Sequence, residues 1–357
     1  MKTINQLIIT LMVFLFSIQA WAQSGKLFNT DNQLSSNLAT QVFQDKSGFI
    51  WIATRNGLNT YDGYHITVMK KDMSNFLGLK SNYINSIAQD DKGHILLGTN
   101  NSLLEFTGSE FHKIPMLDSK GEELATYVKQ VYPLKNKDVA VATSGYGIMI
   151  KKKDAQECHA MKGEVEKLKY IHKLLEDKRG RLWIITEDGK LYRKETNGRV
   201  TSHFVGTEGV DAQDIQQDVL GNLYLASKNQ GVHLLRAGSN VFTRISSIGN
   251  MPIENIYISR NNKLYIGCDG LGIYVYDPQT GFLQDNPLFS RLVNLAKSKV
   301  TSIIEDNQGN IWVSMLQKGV FMQSNIQNDF NYMGFRLGSR NVIGENCVTS
   351  LSINQGN

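Results

Sequence analysis

One unit of about 45 residues returns along nearly the whole chain, and that return restricts the fold more than any single residue does. VFQDKSGFIWIATRNGL at 42–58 overlays IAQDDKGHILLGTNNSL at 87–103 without a gap. LLEDKRGRLWIITEDGKL at 174–191 and IIEDNQGNIWVSMLQKGV at 303–320 follow with one-residue slips. Weaker copies lie at 215–232 and 256–273, and the poorest is VYPLKNKDVAVATSGYGI at 131–148. The residue closing the apolar run is Thr54, Thr99, Thr143, Thr186, Ser227, Cys268 and Met315. Three residues upstream stand Trp51, Leu96, Ala140, Trp183, Tyr224, Tyr265 and Trp312. Seven units are present.

Each unit translates into strands by its alternation and turn residues. A short apolar segment such as Val42-Phe43 leads into Asp-x-x-Gly, where Asp bonds nearby backbone amides and Gly takes a positive φ. The Ile-Trp-Ile run that follows is a buried strand rich in β-branched and aromatic residues. Gly57 to Tyr61 and Gly272 to Tyr276 begin a third strand. A second turn then leads to a fourth, as at Tyr64 to Met69 or Gly281 to Leu283. Four antiparallel strands per unit bury their faces only against neighbouring units, and a closed ring protects the edges. The predicted fold is all-β, a seven-bladed β-propeller over residues 23–347. Helical spacing is confined to Glu164 to Leu175, which is expected to be an embellished loop.

The first 22 residues stand apart. Lys2, the apolar stretch Leu7 to Phe16 and the small-x-small site Ala20-Trp21-Ala22 have the layout of a secretory signal. The apolar stretch is shorter than the roughly 20 residues a membrane-spanning helix needs. Residues 1–22 are therefore expected to be cleaved, leaving a periplasmic chain with no membrane segment. The net charge of +5 is mild and spread out. Clusters such as Lys151 to Lys153 lack the interleaved aromatics of a single-strand binding surface, so nucleic acid is not expected as a partner. Cys158, Cys268 and Cys347 are too far apart and too few for a disulfide framework. They also match no zinc spacing.

The motif Asp-x-x-Gly-x-Ile-Trp-x-x-Thr-x-x-Gly-Leu, ending in Tyr61-Asp62-Gly63, resembles the two-component regulator propeller repeat. The resemblance covers Leu34 to Val320 and is most specific in units one, four and seven. Unit three departs most, losing the Asp turn and the Trp. The resemblance implies a periplasmic sensor region of a Bacteroides-type hybrid histidine kinase, with carbohydrate sensing as its role. It also implies signalling through a homodimer of the full receptor. Residues 348–357 repeat the start of unit seven, Asn354 to Asn357 matching Asn307 to Asn310. They are expected either to begin an eighth repeat of a longer sensor or to supply a ring-closing strand.

No catalytic set emerges. The seven histidines fall at different places in the repeat and are expected to be surface or packing residues. Asp45, Asp90, Asp177, Asp218 and Asp306 offer one repeated acid per loop rather than a cation-binding cluster. No cofactor or metal is expected. Trp51, Trp183 and Trp312 are expected to form inter-blade core rather than sugar-stacking platforms.

Ligand contacts are instead expected where the units disagree, because residues kept in every unit serve the fold. The loop between the second and third strands opens on the same face as the segment entering the first. That face carries Arg55, Asn56, Asn82, Tyr83, Asn100, Asn101, Tyr127, Tyr146, Glu187, Asp188, Lys228, Asn229, Asp269 and Gln317. Amides, acids and aromatics together suit an oligosaccharide. Two other readings stay open: an exported carbohydrate-active propeller enzyme and a stand-alone envelope interaction module.

Overall fold

The computed structural model describes residues 25–71, 78–285 and 294–325. The signal segment, Cys347 and residues 348–357 lie outside the described residues. The described residues form seven antiparallel blades. Blade one is built from Ala39–Gln44, Ile50–Thr54, Gly57–Tyr61 and Ile66–Met69 in spatial order. The inner strands of blades two to seven are Ile84–Gln89, Val128–Pro133, Ile171–Glu176, Ala212–Gln217, Ile253–Ile258 and Val300–Glu305. Each inner strand packs on the next and the seventh returns to the first, which closes the ring.

The second strand of every blade is almost wholly buried, as its run of β-branched and aromatic residues requires. The turn before it is braced as the sequence predicts. Asp45 Oδ1 accepts the backbone N–H groups of Ser47 and Phe49 at 2.9 and 3.0 Å, and Gly48 has φ 94°. The structure adds a bond that the repeat pattern alone did not reveal. Asp45 Oδ2 accepts the indole N–H of Trp51 at 2.8 Å, and Asp177–Trp183 and Asp306–Trp312 repeat it at 2.9 and 2.7 Å. The three Trp rings are buried between blades, so turn and core are tied by one side-chain pair.

One expectation changes, and one strand comes from a segment outside the repeat. Residues 164–175 are not an embellished loop: after a 3₁₀ turn at Glu164–Lys167, Ile171–Glu176 is the inner strand of blade four. The helix-like spacing of Leu168, Ile171 and Leu175 was coincidental, since Ile171 and Leu174 are the residues buried in the core. The fourth strand of blade seven is Gly25–Phe28, from the start of the described chain. It pairs antiparallel with Gly319–Gln323, Gly25 opposite Gln323 and Phe28 opposite Val320. Phe28 stacks on Trp312 at 5.3 Å and meets Tyr61 of blade one edge-on at 4.9 Å. Blade three is irregular, carrying a fifth, parallel strand at Met116–Leu117.

Candidate functional site

All seven inner strands carry the same irregularity. Pairing with the second strand slips by one residue after the first position, leaving an extra residue in a β-bulge. Such a bulge releases a residue from the ladder and re-aims its side chain. The released residues are Thr40, Asn85, Lys129, His172, Gln213, Glu254 and Thr301. All seven line one cavity of about 250 Å³ bounded by every blade, which places it at the centre of the ring. The column is wholly polar and nearly every member is different.

The residues next to them pin the blades together. Gln41 bonds both the N–H and the carbonyl of Ile87, Ser86 accepts from Val131 N, and Gln130 accepts from Leu174 N. Asp214 accepts from Ile256 N at 3.0 Å and receives Lys173 Nζ at 3.0 Å. From blade one to blade six the central wall is thus held by side chains reaching from one blade to its neighbour.

Lys129 is paired with Glu187 at 3.4 Å, and Lys299 meets Glu254 and Asp269 at 2.7 Å each. Burial works against the Lys299 charge, but the two carboxylates outweigh it and hold its proton more tightly than usual. His172 is pushed down to about 4, first by burial and then by Lys173, Lys129 and Lys228, so its ring is neutral at neutral pH. The Gln213 side-chain nitrogen lies 3.0 Å from His172 Nε2. An amide N–H there makes Nε2 the acceptor and leaves the ring proton on Nδ1. His172 lines the central cavity.

The fourteen predicted residues do share one face. Arg55 N bonds Leu38 O, Ser144 N bonds Tyr127 O, and Glu187 N bonds Tyr170 O, so these loops close over the starts of the inner strands. Four of the fourteen form a continuous row across blades one to four. The Arg55 guanidinium lies 5.5 Å from the Tyr83 ring, which meets Tyr127 edge-on at 6.1 Å. The Tyr127 hydroxyl donates to Asn85 at 2.7 Å, and Lys129, paired with Glu187, lies 4.8 Å from the Tyr127 ring. Burial, then the neighbouring Tyr83, pushes the Tyr127 hydroxyl upward, so it stays a donor. Asp269 lies apart from this row, paired with Lys299, which also meets Glu254 of the cavity lining.

Others among the fourteen shape their own loops. Asn82 accepts from Lys71 N, Asn100 from Ser81, Asn101 from Thr99, and Asn229 ties Asp211 to Gly209. Asp188 accepts from Thr186 and pairs with Lys190 at 2.7 Å beside a separate cavity of about 630 Å³. The Asn56 backbone N–H bonds Thr54, while Lys228, Tyr146 and Gln317 are exposed, the last at φ 70°. Among the described residues, Asp90, His94 and Glu105 bring three possible metal-ligand atoms within 4.8 Å. His94 takes the place from which Arg181 and Asn310 brace the turn carboxylate in other units, and it lies 3.2 Å from Glu105.

Sequence reasoning missed the bulge column, although a signal existed. Every member lies fourteen residues before the residue that closes the apolar run, from Thr40 and Thr54 to Thr301 and Met315.

A family model described as two component regulator propeller matches residues 33–56, 78–101 and 294–317. The chain carries two component regulator propeller repeats. The matched repeats run from the lead-in loop through the second strand of blades one, two and seven, with unit four absent among them. Among solved structures, the extracellular domain assigned to a hybrid two component system of B. thetaiotaomicron is similar at 23% identity and TM-score 0.74. A second such domain from B. thetaiotaomicron is 15% identical with TM-score 0.70. The chain spans 42% of the length of each, and 85% and 84% of this chain are covered. Virginiamycin B lyase from Staphylococcus aureus shares the fold at 13% identity and TM-score 0.65, over 85% of this chain and 99% of the lyase. No curated protein matches. No helix among the described residues is long and apolar enough to cross a membrane.

Proposed function

We propose that this propeller is the ligand-sensing region of a periplasmic two-component sensor, taking an oligosaccharide at the mouth of its central channel. The observation that carries this reading is the ring of seven bulged residues. A residue kept identical in every unit would serve the fold; here the fold repeats the bulge while the side chain varies among hydroxyl, amide, ammonium, imidazole and carboxylate. Such a set can donate to and accept from many hydroxyl groups at once. Tyr83 and Tyr127 at the rim offer aromatic faces to the apolar face of a sugar. A volume of about 250 Å³ equals the share of about eight water molecules. That admits one sugar ring and leaves the rest of the chain over the loops.

Binding there bridges several blades, so occupancy alters how they sit against one another. That change is passed to a histidine kinase elsewhere in the receptor, which works as a homodimer. A thermal-shift screen of residues 23–357 against oligosaccharides tests the reading. A ligand at 100 times its Kd stabilises by about 2.7 kcal/mol. The shift is expected to disappear in Tyr127→Ala and in Lys129→Ala. A shift that survives both, or no shift with any glycan, overturns it.

One observation favours a second reading, a carbohydrate-active enzyme. His172 lines the polar channel as a neutral imidazole, and its Nε2 acts as a base once Gln213 is displaced from it. Product formation from a glycan, lost in His172→Gln, is the result that reading needs.

A further inference from the structure

The repeat places one large side chain between most neighbouring blades, and at one interface that side chain is missing. Trp183 shows what surrounds it. Its N–H meets Asp177 at 2.9 Å, and the guanidinium groups of Arg181 and Arg193 lie 5.6 and 5.2 Å from its ring. Leu223 and Leu235 of the next blade belong to the same buried cluster.

One unit earlier, Ala140 stands in the Trp column. The positions that surround Trp183 are there occupied by Leu134, Asp138 and Ile150, and on the next blade by Leu182 and Lys194. The strand registers fix these equivalences. Trp183 pairs with Arg193 and Ala140 with Ile150, while Leu223 pairs with Leu235 and Leu182 with Lys194. All five equivalent residues line a cavity of about 560 Å³ between blades three and four.

A small residue in this column does not always leave space. In unit two, Leu96 stands in the column, and Ile114 and Met116 are buried with it in one cluster. In unit three, Tyr132 is the side chain opposite Ala140, and its hydroxyl accepts the N–H of Glu176 at 3.1 Å. Ala140 itself is fully buried and does not line the opening, which is bounded by the five surrounding positions.

We propose that this slot binds a planar aromatic ligand of one or two fused rings, held between the positions that in unit four enclose the indole. Leu134, Ile150 and Leu182 supply apolar walls, and the volume lies within the range of small-molecule pockets. Asp138 supplies an acceptor at the polar edge. It already takes Lys152 at 2.8 Å and Asn136 at 2.9 Å on one oxygen and Lys153 N at 3.0 Å on the other. A carboxylate has about four acceptor sites, so one stays open to a ring N–H or O–H. The cavity lies beside the Asp-type turns, at the opposite end of the blades from the channel loops, and the proposal does not rest on the sensor reading.

Indole is the probe. Saturation-transfer NMR on the folded protein is expected to show transfer to the indole ring protons, and little to cyclohexanol, which is not planar. Ala140→Trp directs the repeat's own side chain from the adjoining column position into the slot. It is expected to raise the melting temperature and abolish the transfer. Ile150→Phe, a milder filling, is expected to weaken indole at least tenfold. No transfer to indole, equal transfer to cyclohexanol, or indole binding undiminished in both variants overturns the proposal.

Discussion

The Asp–Trp pair is the smallest unit at which this fold can be tested. Asp177 is buried, which by itself opposes its charge, but bonds from Trp183 and Arg181 hold its carboxyl below the ordinary range. Trp183→Phe keeps most of the ring and removes the N–H. Leaving a buried acceptor short of a partner costs about 1–3 kcal/mol. Trp183→Ala also opens a cavity and costs about 3–5 kcal/mol. Urea unfolding of the two variants separates the bond from the packing, and a Trp183→Phe variant as stable as the parent would show that the bond contributes nothing. The turn half of this pair was legible, because Asp and Gly at fixed spacing have a local meaning. The Trp half was not, because a tryptophan in an apolar run looks the same whether or not its N–H has a partner.

At the level of strands, the inner strand and the latch explain what could and could not be read. Blade count and strand order followed from the repeat, since residues that recur every 41 to 47 positions specify one sheet each. The inner-strand bulge escaped notice because it breaks the two-residue alternation, and its column has no recurring residue to catch the eye. Of the predicted site, Arg55, Tyr83, Tyr127 and Glu187 gather at the channel, whereas Asn82, Asn101 and Asn229 serve their loops. Asparagine suits a turn as well as it suits a ligand, so residue type could not separate the two. The latch was unreadable for another reason: Gly25–Phe28 lies before the first complete unit and has no repeat to be compared with. Its anchor, Phe28, is fully buried against Trp312 and Tyr61. Phe28→Ala is expected to cost about 3–5 kcal/mol, measured by urea unfolding. A loss below 1 kcal/mol would mean that the outer strand does not hold the ring.

Across the whole ring, stability should depend on pH through its centre. Cys158 and Cys268 are buried with thiols pushed up to about 12, so they stay uncharged throughout the accessible range. His172 differs. Its folded value of about 4 lies below the ordinary 6.5, so the unfolded chain takes up the proton first. The stability it contributes is complete above pH 6.5 and is lost as the pH falls from 6.5 towards 4. Burial and Arg244 shift His233 in the same direction, so His172→Gln is expected to flatten part of that decline. An unchanged slope between pH 6.5 and 4 would rule His172 out as its source.

The seam of the ring also sets how it answers to tension. Because Gly25–Phe28 runs antiparallel to Gly319–Gln323, the incoming end at Gly25 and the outgoing end at Gln323 sit side by side. A pull on those two ends loads one hydrogen-bonded pair after another, beginning at Gly25 and reaching Phe28 last. The seam peels like a zipper instead of shearing as a block, so the buried Phe28 ring serves as the stop at its far end.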